Sequence, residues 1–215
     1  MRIEYIDHMG SDLTVVNAAR VSLAKESEWD KEGELPKEDE KLISYLAKHN
    51  HISPFFHPTV QYRVSAPIFV ARQWFRSNVG IARNETSRRY VDDVPTFYIP
   101  DYFRPKAENI KQGSVDEPHK FNPYWQEKYE LHLQTVSRLY QSMIEDGVAP
   151  EQARIVLPQS MYTEWIETAS LAACVRIYKL RIDSHAQKEI QELAQMLKEI
   201  VVPLFPVSWD ALVGV

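Results

Sequence analysis

The segment between Asn122 and Gly147 constrains the fold most, because both of its ends carry the signals that bound a long helix. Asn122 is a favoured N-cap, Pro123 suits the first helical turn, and Gly147 suits the position after the last turn. Further helices are predicted by apolar residues at helical spacing, from a cap at Asp12 through about Leu23, over about Pro36–His49, and from a capping box at Ser184 and Gln187 through Val201.

Strands are fewer. Residues 1–7 alternate as a short strand does, and His57–Ala66 alternates with β-branched and aromatic residues. Pro67 then suits the first turn of an apolar helix that leads into an arginine-rich loop. Residues 91–121 contain four prolines and are predicted to be a loop. The chain is therefore expected to be a helix-rich α+β protein, one domain over residues 1–215, with a small antiparallel or mixed sheet.

Charge and composition exclude several classes of function. The formal net charge is -5, which disfavours a general nucleic-acid binder. No run approaches the roughly 18 apolar residues of a membrane span, and the N-terminus lacks a signal-peptide pattern. Cys174 is the only cysteine, and no metal-ligand motif occurs, so we expect no disulfide and no metal. We expect a cytoplasmic protein, or one in the host cytoplasm if the source is viral.

The stretch Arg76–Tyr90 indicates an anion site. It gathers Arg76, Arg83, Arg88 and Arg89 around hydroxyl and amide side chains. The guanidinium group pairs bidentately with phosphate oxygens and keeps its charge. With only 6 glycines the chain has little material for a glycine-rich phosphate loop, so side chains would hold the phosphate. The alternative is a solvated basic loop.

Four arginines also stand beside hydrophobic segments that should be interior: Arg76, Arg89, Arg154 and Arg181. Buried arginines need anionic partners, and a nucleotide phosphate plus an acidic imide would supply them. Taken singly, each could instead pair with a carboxylate, and Asp183 with Ser184 could simply cap a helix.

Seven phrases across residues 9–187 resemble the flavin-dependent thymidylate synthases: MGSDLTVVNAARVS, KHNHISPFFH, APIFVARQWFR, NETSRRY, FYIP, ARIVLP and LRIDSHAQ. The resemblance implies a homotetramer whose active sites lie between subunits and hold FAD, dUMP and a folate. It implies transfer of a one-carbon unit from methylenetetrahydrofolate to C5 of dUMP, with NADPH-reduced FAD as hydride donor.

The resemblance also implies roles for individual residues. Arg181 would lie against the uracil ring and favour ionisation at N3, as the catalytic residue. The dUMP ligands would be Gln73, Arg76, Glu85, Thr86, Ser87, Arg88, Arg89, Arg154 and Arg181. The FAD contacts would be Ser53, Arg76, Ser77, Asn78, Glu85, Ser170 and Arg176. His51 and His185 lie in matched phrases without an assigned role.

No protein nucleophile is needed for this reaction, since the flavin carries the difficult chemistry. Cys174 lies in a mainly apolar, helical run and is interpreted as a small buried hydrophobe. Ser87 has no evident base, so it is expected to be a ligand.

The chain departs from the family signature where the flavin binds. Ser77 and Asn78 replace a histidine and an arginine, one extra residue lies before Asn84, and the signature's first serine falls at Ile81 or Ala82. Ser170 and Ala172 stand where relatives place asparagine and arginine, and Arg83 or Arg176 could replace the lost cation. Two alternatives therefore remain: a relative acting on another pyrimidine nucleotide or one-carbon donor, and a catalytically silent nucleotide-binding protein.

Overall fold

The computed structural model describes residues 1–107 and 113–215. Its sheet has four strands in the order β1-β2-β4-β3, and every pairing is antiparallel. The helix-rich architecture with a small sheet is confirmed, and the sheet is antiparallel rather than mixed. The strands are β1 (Arg2–Met9), β2 (Thr59–Pro67), β3 (Ile81–Glu85) and β4 (Tyr162–Ser170).

Eight α-helices are found within the described ranges, with short 3₁₀ turns at Val21–Leu23, Ser53–Phe56 and Arg154–Val156. The helices are α1 (Asp12–Arg20), α2 (Lys37–Lys48), α3 (Ile68–Trp74), α4 (Asn122–Glu145), α5 (Pro150–Ala153), α6 (Leu171–Arg181), α7 (Lys188–Val201) and α8 (Pro206–Val213).

The long helix is confirmed at both ends, with one difference at its start. Asn122 is the first helical residue of α4, and Phe121 is the N-cap. The Asn122 side chain accepts a hydrogen bond from the Phe103 backbone N–H at 2.7 Å, so it anchors the preceding loop instead of capping the helix. Gly147 follows α4 with φ of 83°, as a glycine after a helix end should. The predicted loop over 91–121 includes residues 108–112, which lie outside the described residues.

Two more predicted caps, Asp12 and Ser184, are also wrong. Ser11 precedes α1 as its N-cap, while the Asp12 carboxylate accepts hydrogen bonds from the backbone N–H groups of Val207 and Ser208. Asp12 therefore caps α8. At α7 the N-cap is Gln187, without a side-chain cap, since its amide oxygen accepts from Gln73 Nε2 at 2.6 Å; Ser184 lies before the helix.

The strands β3 and β4 were missed. The segment of β3 was predicted to be loop, because its polar sequence does not alternate. It is a strand because Ile81–Glu85 pairs residue by residue with Ala169–Trp165 of β4. Both β2 and β4 show alternating burial and run directly into a helix, α3 and α6 respectively.

The core lies between the sheet and the C-terminal helices. Of the predicted stripe of α7, Ile190, Leu193 and Leu197 are completely buried, and Ile200 is partly buried at its end. It packs with α6, α3 and β1. This arrangement fixes α3 and α6, whose last turns carry Gln73 and Arg181. Within the described chain, no helix has both the length and the apolar character needed to cross a membrane.

Candidate active site

Gln73 and Arg181 meet where α3 and α6 end. One terminal nitrogen of Arg181, Nη2, donates a hydrogen bond to the Gln73 backbone carbonyl. Carbonyls in the last turn of a helix have no partner inside the helix, so a cation there is favourable. The Gln73 side chain in turn donates to Gln187, the N-cap of α7. Three elements thus hold this pair.

Arg181 is half-buried and its charge is not neutralised. Burial lowers the pKa of Arg181, and the neighbouring positive charge of Arg76 lowers it further. Its Nε is buried without a hydrogen-bond partner among the residues that the structure describes. Over the same residues, neither Arg181 nor Arg76 has a carboxylate oxygen within 4.0 Å of a guanidinium nitrogen. Two cations without a protein counter-ion favour an anionic ligand.

A cavity of about 1200 Å³ opens beside Arg181. Gln73, Arg181 and the whole segment Asp183–Glu189 line it. Asp183 accepts hydrogen bonds from the backbone N–H and the ring of His185, which lower the pKa of Asp183. Asp183 therefore stabilises the turn before α7. This structural role resembles the helix cap that was its simplest interpretation, although Gln187 is the N-cap.

The opposite wall of this cavity was missed in the sequence. It consists of aromatic side chains from α3, the segment 97–103 and α4, with Tyr98 against Phe69 and Phe103 against Tyr129. Arg104 crosses from this wall to Glu189 at 2.7 Å, and both side chains are largely buried. The aromatic density of residues 97–103, FYIPDYF, was the available signal.

Five of the other nucleotide candidates line a separate cavity of about 650 Å³, whereas Arg76 and Arg89 line neither cavity. Its walls include Glu85, Thr86, Ser87, Arg88 and Arg154, and it shares no lining residue with the first cavity. β3 carries Glu85 to this place, where its carboxylate accepts from the Thr163 hydroxyl at 2.7 Å. Within one chain, the predicted dUMP ligands therefore do not all lie in one cavity.

Contacts within this second group define its shape. Ser87 accepts from the Arg89 backbone N–H, so residues 87–90 form a tight turn. Arg88 pairs with Asp93 at 2.7 Å. Arg89 lies 3.7 Å from the carboxylate of Glu151, whose backbone carbonyl accepts from Arg154. Arg89 and Arg154 thus both contact Glu151.

The prediction that the four arginines are interior is wrong for three of them. Arg76, Arg89 and Arg154 are exposed, and only Arg181 is half-buried. Arg76 follows the end of α3, and Arg89 and Arg154 lie in short turns whose adjacent apolar residues, Tyr90 and Ile155, are exposed as well. In a single chain the charges of these three arginines therefore face solvent.

The flavin candidates other than Glu85, which lines the second cavity, gather around α6. Arg176 Nη2 donates a hydrogen bond to the backbone carbonyl of Val79, the residue after Asn78, at 2.6 Å. The Ser170 backbone N–H donates to the Gly80 carbonyl at 2.9 Å. The turn Ser53–Phe56 packs on the same side, since Phe56 lies within 3.0 Å of the position a Cβ at Gly80 would take.

The flavin candidates differ in accessibility. Ser53, Arg76 and Asn78 are exposed and Arg176 is half-buried. Ser77 and Ser170 are buried, and the Ser170 hydroxyl accepts from the Ala173 N–H as the cap of α6. Arg83 is engaged with buried Glu167 at 2.6 Å. Of the two arginines considered as a replacement cation, Arg176 is therefore the more available.

Cys174 is completely buried in α6, as predicted. Burial, with the nearby charge of Glu167, raises the pKa of its thiol far above the ordinary value. The thiolate needed for nucleophilic attack is thus disfavoured.

Nearly the whole chain is similar to known proteins of one family. Residues 4–207 match the family described as thymidylate synthase complementing protein. The flavin-dependent thymidylate synthase of Thermosipho africanus is 39% identical, over 97% of this chain and 89% of that one. The flavin-dependent thymidylate synthase of Thermus thermophilus is 38% identical, over 97% of this chain and 74% of that one.

Two solved structures have the same fold. Both are of the UMP/dUMP methylase PolB from Streptomyces cacaoi. The complex with 5-Br dUMP has a TM-score of 0.86 and 31% identity, covering 99% of this chain and 94% of PolB. The complex with 5-Br UMP has a TM-score of 0.85 and 29% identity, covering 99% and 93%. The chain therefore belongs to the thymidylate synthase complementing protein family, the flavin-dependent thymidylate synthases.

Proposed function

We propose that residues 1–215, acting as one domain, catalyse the flavin-dependent methylation of dUMP to dTMP. Methylenetetrahydrofolate supplies the one-carbon unit, and FAD reduced by NADPH supplies the hydride. The observation that carries this proposal is the pair Arg76 and Arg181, two neighbouring guanidinium groups without a carboxylate partner in the described part of the chain. Relatives named for this activity match nearly the whole chain.

Arg181 supplies the electrostatic part of the reaction. Uracil becomes nucleophilic at C5 when negative charge develops on the ring, and a fixed cation beside N3 stabilises that charge. The partial burial of Arg181 strengthens this interaction, because the surrounding dielectric is lower than that of water. The hydrogen bond to Gln73 holds the guanidinium in place before the substrate arrives.

The nucleotide is proposed to bind between subunits of a homotetramer. Gln73, Arg76 and Arg181 lie at the ends of α3 and α6, whereas residues 85–88 and Arg154 line a different cavity. A homotetramer would bring all of these ligands to one site, with one subunit supplying the first group and a second subunit supplying the other. The exposure of Arg76, Arg89 and Arg154 supports this, since their charges remain available to a ligand at the interface.

The residues near the turn 77–80 fit a flavin. Arg76 and Arg176 offer positive charge for a pyrophosphate, and Ser53 and Asn78 offer exposed polar groups on the same side of α6. FAD, when bound, supplies hydride transfer, the step that no side chain provides. Cys174 takes no part, because its thiol is buried and protonated.

The direct test is formation of dTMP by the purified protein with dUMP, FAD, NADPH and methylenetetrahydrofolate, followed by mass spectrometry. We expect product that disappears when any one of these components is omitted. UMP and dCMP in place of dUMP test the base and the sugar that the site accepts. Binding of dUMP without product in the complete mixture would refute the proposed reaction and leave a nucleotide-binding protein.

A further inference from the structure

Glu167 is a completely buried carboxylate at the middle of β4. Four side chains donate hydrogen bonds to it: Tyr62, Trp74, Arg83 and Trp165. Tyr62 and Arg83 lie directly opposite it on the neighbouring strands β2 and β3. An ionised carboxylate in such a place requires a counter-ion, because an isolated buried charge is very costly.

Arg83 supplies that counter-ion. Its Nε lies 2.6 Å from the Glu167 carboxylate, and its side chain is 12% exposed. The guanidinium also lies 4.4 Å from the centre of the Phe75 ring, and its Nη2 donates to the Ser77 carbonyl at 3.3 Å. This arginine therefore holds the segment after α3 as well as the carboxylate.

The contacts of the pair fall on both sides of Arg76. Trp74, two residues before it, donates to Glu167, and Phe75 lies under the guanidinium of Arg83. Ser77, the next residue, accepts from Arg83. The backbone of Arg76 is thus held on either side by one buried ion pair, while its own side chain extends into solvent.

We infer that Glu167 and Arg83 form a positioning pair that fixes the direction of the Arg76 side chain and so sets the affinity for dUMP. This rests on the proposed function only in that Arg76 binds dUMP. Neither member of the pair needs to contact the nucleotide. The inference differs from a purely structural role, which would change stability without changing how Arg76 meets its ligand.

A double-mutant cycle separates the two roles. Binding of dUMP is measured by calorimetry on FAD-saturated protein for Arg76→Ala, Arg83→Gln and the double variant. If Arg83 acts through Arg76, each single variant weakens binding by about tenfold, the scale expected for residues in one network. The double variant then binds no more weakly than Arg76→Ala alone.

Arg20 and Asp39 provide a matched control. They join α1 to α2, with Asp39 1% exposed and Arg20 19% exposed, so Arg20→Gln also unpairs a buried carboxylate. We expect Arg20→Gln to lower the urea midpoint as Arg83→Gln does and to leave dUMP binding unchanged. If Arg83→Gln fails to fold, the variant Arg83→Gln/Glu167→Gln takes its place in the cycle, since it leaves no buried charge unpaired.

The outcomes are distinct. An equal loss from Arg83→Gln in the presence and absence of Arg76 overturns the inference, as does unchanged binding in Arg83→Gln. Wild-type binding by Arg76→Ala overturns it too, because nothing would then need positioning. No dUMP binding by the wild-type protein would instead refute the proposed function.

Discussion

Gly80 closes the turn that brings the flavin candidates to α6, and its replacement by alanine has a cost that the structure allows to be worked out. Its φ is +75°, a backbone conformation that an L-residue adopts at a cost of about 1–2 kcal/mol. A Cβ at this position would lie 2.6 Å from the Ser170 hydroxyl and 3.0 Å from the Phe56 ring. Ser170 caps α6, and the loss of such a cap costs about 0.5–2 kcal/mol. Gly80→Ala should therefore lower the free energy of unfolding by about 1.5–4 kcal/mol.

Gly33 offers a control with the same backbone strain and no contact. Its φ is +78°, and an added Cβ would have no neighbour within 4 Å. Gly33→Ala should cost only the strain, about 1–2 kcal/mol. The smaller entropy of alanine in the unfolded chain affects both variants alike, so it cancels in the comparison.

Urea unfolding of the two variants measures the difference. We expect Gly80→Ala to lose about 0.5–2 kcal/mol more than Gly33→Ala, with equal slopes. FAD titration should show weaker binding in Gly80→Ala alone, because only that substitution displaces the turn 77–80. Equal losses of stability would refute the argument that the contact with Ser170 is tight.

Four other predictions follow from the same contacts. Arg181→Ala should fold and lose at least about 100-fold in turnover, the scale of a lost electrostatic stabiliser, and wild-type turnover would refute its role. Cys174→Ala should keep its turnover while losing roughly 1 kcal/mol of stability to a small cavity, and an inactive variant would revive a thiolate mechanism. Arg176→Gln should weaken FAD binding while Arg176→Lys retains most of it, and unchanged affinity in Arg176→Gln would remove this cation from the flavin site. Burial, then Glu167, raises the pKa of Tyr62, so its contribution to stability is complete below the unfolded pKa of about 10 and is lost as pH rises above it. Urea unfolding between pH 9 and pH 11 should show this loss, with a shallower dependence in Tyr62→Phe; a flat profile would contradict it.

Local signals were sufficient for those elements whose ends are set by their own sequence. The helix between Asn122 and Gly147, the buried stripe of α7 and the burial of Cys174 needed no distant partner to be predicted. They follow from glycine and proline positions and from apolar spacing.

Elements that depend on distant partners could not be predicted. β3 is polar and becomes a strand only because β4 pairs with it. Asp12 accepts a hydrogen bond from α8, 195 residues further along the chain, so its position at the start of α1 gave the wrong prediction of its role. For the site, the resemblance gave candidate ligands, which stay predictions. No local pattern indicated that Gln73 and Arg181 line one cavity while residues 85–88 and Arg154 line another.

The pairing of Arg83 with Glu167 decides how the altered flavin loop is to be understood. Removing one partner of a buried ion pair costs about 3–5 kcal/mol, whereas a hydrogen bond to a charged group contributes about 1.5–3 kcal/mol. Moving Arg83 from Glu167 to a flavin phosphate would therefore lose free energy. Arg83 therefore remains in the sheet, and in the proposed flavin site Arg76 and Arg176 are the candidates for the positive charge near the pyrophosphate. The backbone of Arg76 is held by the same ion pair that keeps Arg83 away from that site.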